Sequence, residues 1–591
     1  MCGIIGYIGK KDCKDILLDC LKKLEYRGYD SSGVSFANKN NYEIIKSSGK
    51  ILNLEEKLKE RKINNPCIGI GHTRWATHGV ANDINAHPHE GKTCILVHNG
   101  IIENYEILKN DLLEKGHTFY SDVDSEVIAK LLDECQSLTN LETLQKVCNK
   151  IEGSFALNII FKNELDKIYI AKKESPLIIG IAGDQKYICS DINSISDYCK
   201  DFIYMQENSY GVISKDNILF YDFTGNKISY NLEKAEIFEA ETYKKGYKHF
   251  MLKEIEEEPL LISNILKNNL ENGLLKINLD EYQKINKIII IGCGTAMHAG
   301  LIAKYYLEKF AKIDVDVEVA SEYRYKDLIL NKNILAIFIS QSGETADTLA
   351  CLKMLKEKGI KTLSFVNVYN SSITKLSDKV IYTTCGKEIA IASTKALIAQ
   401  ILYLILFSLK LAYLKRKLTI KKVKEYTSYL YKIPSILEDN INNNKFKSIA
   451  KLVNKNKKII FIGRGIDYYL GLESSLKLKE ITYIPCLCYQ AGELKHGPIS
   501  LIDNQTLVFV INTNENTISK TSSNMQEVLS RKGNIYLLST DSNADFVIDN
   551  SYFANVFSII TIFQLIAYHT ALQKKLDIDK PRNLAKSVTV E

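Results

Sequence analysis

The second residue of the chain is a cysteine, in the run Met1-Cys2-Gly3-Ile4-Ile5-Gly6. Loss of the initiator methionine, which a residue as small as cysteine permits, leaves a thiol and a free α-amine on one residue. The amine has an unperturbed pKa of about 7.7–8.0 and the thiol one of about 8.5, so a proton can pass from sulfur to nitrogen without a histidine. Such a residue can start acyl transfer by itself. The alternative, a small residue that begins a buried strand, is equally compatible with these six residues.

A dense run of hydroxyl side chains, Ser340-Gln341-Ser342-Gly343-Glu344-Thr345, follows an apolar stretch in the second half of the chain. Hydroxyls, a glycine and the first N–H groups of a helix hold a phosphate without a lysine. A Ser- and Thr-rich helix N-cap is the alternative, and the density of hydroxyls favours the phosphate. The matching stretch Asn512–Thr517 has lost the glycine and both serines and has gained a carboxylate. We therefore expect one phosphate site rather than two.

Titratable residues recur at helical spacing further along. Glu473, Lys477 and Glu480 stand at i, i+4 and i+7 on one predicted helix face, a pattern that in isolation is typical of a surface salt-bridge ladder. A tight loop with His496 follows, and Lys586 lies in the last ten residues. A lysine, a carboxylate and a histidine beside a sugar phosphate permit imine formation and proton transfer.

The elements that must position these groups form an internal repeat. Residues 287–295 and 458–466 each contain an apolar strand, a G-x-G turn and the start of a helix, and two more apolar strands follow each copy. This pattern is typical of parallel sheets covered on both faces and predicts two tandem doubly wound α/β units, with ligands at the carboxyl ends of the strands. Met297 and Tyr468 stand where a third glycine would complete a dinucleotide fingerprint, so a nucleotide is disfavoured.

The first 240 residues differ, with short β-like runs between a few amphipathic helices such as Cys13–Leu24. They predict a mixed sheet domain. A helical, polar connector is predicted from about Lys244 to Leu279. Its charge run, Lys253–Glu258, is typical of a solvated helix face.

Composition excludes several classes of protein. With 591 residues, 46% of them hydrophobic, and a net charge of +7, the chain is expected to be globular, with several domains and without a nucleic-acid footprint. No run of about 18 uninterrupted apolar residues predicts a membrane span. Fourteen cysteines without C-x-x-C pairs suit reduced thiols in the cytoplasm.

The histidines at 72, 78, 87 and 89 lack cysteines or carboxylates at ligand spacing, so we expect no metal.

Over essentially its whole length the sequence resembles the glutamine–fructose-6-phosphate aminotransferase (isomerising) family. Several motifs in one order carry the resemblance: Leu24–Ser31, His72–Gly79, His98–Asn104, Ser340–Ala350, Ala392–Ala396, Glu493–Pro498 and Arg582–Glu591. The resemblance implies an α+β N-terminal-nucleophile glutaminase domain, an αββα sandwich, followed by two tandem α/β doubly wound sugar-isomerase (SIS) domains. The implied boundaries are residues 2–240, a helical connector at 241–280, SIS domain 1 at 281–425, and SIS domain 2 with a catalytic C-terminal tail at 426–591.

For the glutaminase site, the resemblance implies that Cys2 attacks the side-chain amide of L-glutamine. Asn99 and the Gly100 N–H would form the oxyanion hole. The remaining implied glutamine-binding residues are Arg74 for the carboxylate, Asp124 for the α-ammonium, and Trp75, Thr77 and His78 in a covering loop. Trp75 is also implied to gate an internal channel for ammonia, which must stay unprotonated to act as a nucleophile.

For the sugar site, the resemblance implies that D-fructose 6-phosphate binds to Thr295, Ser340, Gln341, Ser342, Thr345 and Lys477. His496 would open the sugar ring, and the resemblance allows it to reach in from a neighbouring subunit, so we expect a homodimer. Lys586 would form a Schiff base at C2, and Glu480 would move a proton between C1 and C2. No cofactor is implied.

Three sites differ from the family pattern. Ala296 replaces a serine that lines the sugar site, Ala390 and Ile391 replace Gly-Val beside it, and Glu258 replaces a glutamine in the connector. None of these changes removes a proposed catalytic group. Two alternative functions remain, a sugar-phosphate-sensing regulator without turnover and a glutaminase that serves another acceptor. The retained catalytic set disfavours the first, and the tandem phosphosugar units disfavour the second.

Overall fold

The computed structural model describes residues 2–38, 41–61, 63, 65–76, 78–234, 246–330 and 333–589. Thr77, one of the predicted glutamine-binding residues, lies outside this set. The chain forms two compact units that divide between Glu239 and Ala240, with the C-terminal residues from Ser587 grouped with the first unit.

The first unit consists mostly of strands. Its strands are β1 (Gly3–Ile8), β2 (Ser31–Ala37), β3 (Tyr42–Ser48), β4 (Ile68–Arg74), β5 (His89–Glu90), β6 (Cys94–Ile102), β7 (Gly153–Phe161), β8 (Lys167–Lys173), β9 (Ile178–Ala182), β10 (Gln185–Cys189), β11 (Asp201–Tyr204), β12 (Ser209–Ser214), β13 (Ile218–Asp222), β14 (Lys227–Ile228) and β15 (Glu233–Lys234). Its helices are α1 (Lys14–Leu24), α2 (Ile51–Lys59), α3 (Tyr105–Glu114), α4 (Asp124–Glu134) and α5 (Asn140–Cys148).

These strands form two stacked antiparallel sheets. One has eight strands in the order β15-β11-β9-β10-β1-β4-β2-β3, and the other has seven in the order β14-β13-β12-β8-β7-β6-β5. Alternation along β1 shows the layering, because Ile5 and Tyr7 pack with α1 and α2 while Ile4 and Ile8 pack against the other sheet. Helices α3, α4 and α5 cover the outer face of the second sheet. The predicted αββα sandwich is confirmed.

The second unit alternates strands and helices. Its strands are β16 (Leu270–Glu271), β17 (Leu274–Leu275), β18 (Lys287–Gly292), β19 (Asp314–Val319), β20 (Ile334–Ser340), β21 (Lys361–Val366), β22 (Lys379–Tyr382), β23 (Lys458–Gly463), β24 (Cys486–Gln490), β25 (Thr506–Asn512), β26 (Asn534–Ser539) and β27 (Phe546–Val547). Its helices are α6 (Phe250–Glu256), α7 (Glu258–Asn269), α8 (Thr295–Tyr306), α9 (Ala320–Tyr323), α10 (Ala346–Glu357), α11 (Ser372–Leu376), α12 (Lys395–Leu414), α13 (Ile420–Leu430), α14 (Ile433–Ile441), α15 (Phe446–Lys455), α16 (Ile466–Thr482), α17 (Ile518–Leu529) and α18 (Ala554–Gln573).

Two five-stranded parallel sheets organise this unit, with the orders β19-β18-β20-β21-β22 and β24-β23-β25-β26-β27. In each sheet the first strand lies between the second and the third, so the topological switch point lies beside the first strand. Both faces are buried, since Ile288 and Ile290 pack on one side of β18 while Ile289 and Ile291 pack on the other. The two predicted doubly wound units are confirmed.

The charge run at 253–258 differs from its expected character. Lys253, Glu254 and Glu258 are 6%, 2% and 0% exposed, because α6 and α7 pack against the long helices of this unit. Several of their polar atoms have internal partners: Glu258 Oε2, for example, accepts a hydrogen bond from Thr561 Oγ1 at 2.6 Å. The prediction of a solvated helix face was wrong. Sequence periodicity does not show which residues of other elements will donate hydrogen bonds to these carboxylates in the interior.

Two helices of the second unit, α12 and α18, are long and apolar enough to cross a membrane by length and composition. Each has 83% of its apolar window buried inside the unit. Both contribute to the central core, and buried core helices of globular proteins have this same composition.

Candidate active sites of the two units

In the first unit, Cys2 lies at the start of β1, which is a central strand of its sheet. The Trp75 N–H donates to Cys2 Sγ at 3.3 Å. Burial raises the pKa of the thiol, while the Trp75 N–H and the Arg74 charge act in the opposite direction. The thiol therefore depends on a nearby base, such as its own α-amine, to become a thiolate.

Asn99 and Gly100 lie side by side on β6, next to Cys2. The Asn99 side-chain amide donates to the Cys2 carbonyl oxygen at 3.0 Å. Gly100 has φ of 141°, and a Cβ at this position would lie 1.9 Å from the Ser154 carbonyl oxygen. A side chain is thus excluded at Gly100, and β6 places the Asn99 amide against the backbone of Cys2.

Charged side chains of opposite sign lie near the same thiol. Arg74 ends β4 and Asp124 begins α4, and both are 2% exposed. The Asp124 carboxylate accepts from the Ile102 N–H at 2.9 Å. The Arg74 guanidinium donates to the carbonyl of Gly79 at 3.2 Å and also to that of His78. Both charges influence the pKa of Cys2, so the structure brings the predicted glutamine-binding charges to the predicted nucleophile.

The residues after Arg74 form a loop whose two described aromatic members face other rings. Trp75 lies edge-on to Tyr29 with ring centroids 5.8 Å apart. His78 lies edge-on to Tyr105 at 5.0 Å. Trp75 also presents the N–H that contacts Cys2, so its backbone belongs to the site.

Four histidines, at 72, 87, 89 and 98, are buried in this unit. The His72 and His87 rings stack at 4.0 Å, and His87 lies edge-on to His89 at 4.4 Å. Burial lowers the pKa of each, to about 3 for His72, so they are neutral at pH 7. Among the described residues, no group of three or more His, Cys, Asp or Glu is arranged to hold a metal ion.

The predicted phosphate loop of the second unit connects β20 to α10. The Ser340 hydroxyl accepts from the Gly343 N–H at 3.0 Å and lies 3.3 Å from the Thr345 hydroxyl. The Ser342 hydroxyl accepts from the Glu344 N–H at 3.2 Å. Gly343 has φ of 66°, and a Cβ there would lie 1.9 Å from Ser371 Oγ. The loop is therefore a rigid turn of hydroxyls at the carboxyl end of a strand, with Gln341 within it.

A buried chain of charges extends from the neighbouring loop. Thr295, the first residue of α8, donates to Glu473 on α16 at 3.2 Å. Glu473 also contacts His298 at 2.7 Å and Lys477 at 3.5 Å, and Lys477 contacts Glu480 at 2.9 Å. Burial acts against each charge, yet the pKa of Glu473 is lowered by Lys477 and that of Lys477 is raised by Glu480. The salt-bridge ladder is buried, and a solvent-exposed ladder is the wrong interpretation of it.

Lys586 is fixed by a residue that the sequence analysis did not single out. Its Nζ pairs with the Glu388 carboxylate and donates to the Ala390 carbonyl at 2.8 Å. Ala390 and Ile391, two of the unusual residues, are buried beside it. Glu388 also raises the pKa of Lys477, so Lys586 and the α16 charges belong to one electrostatic site.

His496 is the exception among the predicted catalytic residues. It is exposed at the end of the 3-10 turn Ala491–His496. Within the described part of the chain, no hydrogen bond or ion pair joins it to Lys477, Glu480 or Lys586.

Sequence reasoning missed four residues that shape the second site: Glu254, His298, Glu388 and Asp467. The role of Glu388 could have been suspected from its position in the sequence. It lies seven residues before Lys395, which begins the apolar helix α12. A buried helix N-terminus favours an acceptor. The other three act through tertiary contacts that periodicity does not indicate.

Comparisons with known proteins identify the domain families of both units. The chain matches the SIS domain family over residues 281–409 and 451–562, and the glutamine amidotransferase domain family over residues 72–197. The C-terminal domain of glucosamine-fructose-6-phosphate aminotransferase from Francisella tularensis, a solved structure, aligns with a TM-score of 0.55 and 37% identity, covering 57% of this chain and 100% of that one.

Full-length relatives are also found. Proteins named glutamine–fructose-6-phosphate aminotransferase [isomerizing] are 43% identical in Caldanaerobacter subterraneus subsp. tengcongensis and 42% identical in Clostridium tetani, each over 100% of both chains. Identity at this level over the whole length, with both domain families in the same order, establishes the relationship. The chain belongs to the glutamine–fructose-6-phosphate aminotransferase (isomerizing) family.

Proposed function

We propose that the protein converts L-glutamine and D-fructose 6-phosphate to L-glutamate and D-glucosamine 6-phosphate. The observation that carries this proposal is the presence, in one chain, of two sets of groups. One is a cysteine site with Arg74 and Asp124 nearby. The other is a hydroxyl loop together with a lysine–carboxylate set in the same α/β unit. The names of the full-length relatives describe an aminotransferase with these two substrates. The reaction makes this protein a glutamine amidotransferase of amino-sugar biosynthesis.

At the first site, Cys2 Sγ attacks the amide carbon of glutamine after its proton passes to the α-amine. Asn99 Nδ2 and the Gly100 N–H stabilise the oxyanion that develops, a contribution usually worth orders of magnitude in rate. Collapse of the intermediate releases ammonia and leaves a γ-glutamyl thioester, which water hydrolyses. Arg74 and Asp124 bind the α-carboxylate and α-ammonium of the substrate, with Trp75, Thr77 and His78 covering it.

At the second site, the phosphate of the sugar binds to the loop of Ser340, Gln341, Ser342 and Thr345 beside Thr295. His496 opens the ring, and the Lys586 amine forms an imine with C2. Ammonia then takes the place of the lysine nitrogen at C2. Glu480, held by Lys477 at 2.9 Å, moves a proton from C1 to C2 and so completes the isomerisation. The ammonia must arrive unprotonated, because ammonium has no lone pair for attack.

We assign the glutaminase step to residues 2–240 and the sugar chemistry to SIS domains at 281–425 and 426–591, with residues 241–280 as connector. Lys586 lies in the C-terminal tail of the second SIS domain. We also propose a cytoplasmic location, supported by fourteen cysteines that are all free in the structure.

We propose a homodimer because of the exposed position of His496. No hydrogen bond or ion pair joins this side chain to Glu480 within the described residues, and we propose that it serves the site of a second copy. Co-expression of His496→Ala and Glu480→Gln subunits tests this. A heterodimer with exchanged histidines has one site with both residues intact, so activity returns. If each histidine serves its own chain, every site keeps one defect and the mixture stays inactive.

Incubation of the purified protein with glutamine and fructose 6-phosphate tests the whole proposal. Mass spectrometry is expected to detect glucosamine 6-phosphate and glutamate in equal amounts. Cys2→Ala should abolish glutamine-dependent product while fructose 6-phosphate binding remains, and Cys67→Ala, a cysteine of the same unit remote from the site, should keep the parental rate. Absence of glucosamine 6-phosphate with the parental protein would exclude the proposal.

A further inference from the structure

The Glu388 carboxylate is in direct contact with the reacting nitrogen of Lys586. The pair lies in the interior, where the Glu388 side chain is 0% exposed and that of Lys586 is 6% exposed. Glu388 belongs to the segment between β22 and α12, and the Ala390 carbonyl of the same segment accepts a second hydrogen bond from Nζ at 2.8 Å. Water has little access to this amine, so its proton must pass to a protein group.

The two oxygens of Glu388 have different partners. Oε1 accepts from the N–H groups of Thr394 at 2.8 Å and Ala396 at 2.9 Å, where α12 begins. Oε2 faces Lys586 Nζ and accepts from Ser393 Oγ at 3.3 Å. The helix N-terminus thus anchors one oxygen and orients the other toward the lysine.

The Glu388 carboxylate carries its negative charge at rest. Burial favours the neutral acid, but Lys586 and the N–H groups at the start of α12 hold the pKa of Glu388 below its ordinary value. A protonated Lys586 cannot attack a carbonyl carbon, because its nitrogen has no free lone pair. Imine formation at this site therefore requires a base within reach of Nζ, and, among the described residues, Glu388 is the carboxylate that contacts it.

We propose that Glu388 is a catalytic residue that accepts the proton from Lys586 and returns it to the departing oxygen of the sugar. The inference rests on the proposed function. Glu388 takes one proton from the ammonium, and the free amine adds to C2 of the open-chain sugar to give a carbinolamine. The Glu388 acid then protonates the C2 hydroxyl, which leaves as water. The product is a protonated imine beside a carboxylate, so charge and atoms balance.

Other ionisable groups around the pair have separate contacts. Those that face it are Glu254 on α6, Glu258 on α7, Lys477 on α16 and Cys385 in the same segment. Glu254 accepts from the N–H groups of Ile389 at 2.6 Å and Ala390 at 3.1 Å. It holds the segment that carries Glu388 and is thereby a positioning residue.

Borohydride trapping measures the proposed step directly. Hydride reduces the imine between Lys586 and fructose 6-phosphate to a stable amine, which is located by peptide mass. Glu388→Gln keeps the shape and an acceptor for α12 but removes the base. General acid–base catalysis contributes about 10²–10⁴-fold, so trapping at pH 7 should slow by about 10²-fold or more and should rise more steeply with pH than in the parent.

Two further measurements separate chemistry from folding. Glu257→Gln is the matched control, since Glu257 pairs with Lys395 at 2.7 Å near the same helix start and should trap at the parental rate. Glutamine hydrolysis by Glu388→Gln should also stay parental. If Glu388→Gln does not fold, Glu388→Asp keeps the charge at α12 but withdraws it from Nζ, and it should slow trapping too.

The inference is overturned if Glu388→Gln, or a folded Glu388→Asp, forms the trapped adduct at the parental rate and with the parental pH profile. If the parental protein itself forms no adduct at Lys586, the proposed function fails instead, so the two failures are distinct.

Discussion

The two α/β repeats share a strand order, and they differ in the side chain that lies beside the corresponding loops. Both place their first strand between the second and third, and both turn on a glycine of nearly the same conformation, Gly294 with φ 53° and ψ −126° and Gly465 with φ 59° and ψ −125°. Two residues after the glycine, the first repeat has Ala296 and the second has Asp467.

Asp467 lies against the loop that corresponds to the phosphate loop. Its carboxylate accepts from the N–H groups of Thr513 at 2.8 Å and Asn514 at 3.0 Å, and from the Thr513 hydroxyl at 2.5 Å. Thr513 and Asn514 correspond to Gln341 and Ser342 in the first repeat. The second repeat thus satisfies with its own carboxylate the donors that we propose bind the sugar phosphate in the first.

This difference explains why the two repeats, which share a fold, have different roles. Because Asp467 is 0% exposed, an anion has no access to those donors in the second repeat. That repeat instead supplies α16, whose buried Glu473 contacts Thr295 and His298 on α8 of the first repeat. Lys477 on the same helix pairs with both Glu473 and Glu480. We propose that the first copy binds the substrate phosphate and that the second adds the charged groups of α16.

The largest expected effect comes from giving the first repeat the carboxylate of the second. Ala296→Asp is expected to place a negative charge beside the N–H groups of Gln341 and Ser342, where we propose that the phosphate binds. Two unit charges about 4 Å apart repel by about 4 kcal/mol at an effective dielectric constant of about 20, which corresponds to about 10³-fold weaker fructose 6-phosphate binding. Isothermal titration calorimetry measures this change.

Ala296→Asn is the matched control, because it has the same shape without the charge. It should weaken binding far less than Ala296→Asp. Equal losses in both variants would mean that bulk rather than charge matters at this position, and the correspondence between Ala296 and Asp467 would have no electrostatic meaning.

The next effect concerns the charges that only the second repeat supplies. Lys477→Met leaves the buried Glu473 and the half-buried Glu480 without their shared cation. Breaking a buried ion pair costs about 3 kcal/mol or more. Urea unfolding should show this loss. Lys479→Met, on the exposed side of the same helix, should change stability by less than about 0.5 kcal/mol. Equal effects would mean that the ladder behaves as a surface feature.

Part of the difference between the two repeats was predictable from the sequence, and part was not. The apolar strands, both G-x-G turns and the loss of serines after β25 predicted two copies with one phosphate site, because strand alternation and turn chemistry are local. The loop carboxylate predicted from sequence, Glu515, is exposed. The one that contacts the loop, Asp467, is 46 residues from Thr513. Such a contact depends on how β23 and β25 pair, which a local pattern does not encode.

The smallest expected effect is a pH dependence of stability at Asp467. Burial raises its pKa to about 6, above the ordinary value of about 3.9, so the folded protein binds the proton more tightly than the unfolded chain. The parent should therefore gain stability relative to Asp467→Asn as pH falls from 7 to 5, by about 1 kcal/mol. Urea midpoints of both proteins at pH 5, 6 and 7 measure the gain. Parallel curves would show that the carboxylate is not held as a buried anion, and the contrast with Ala296 would then be one of shape alone.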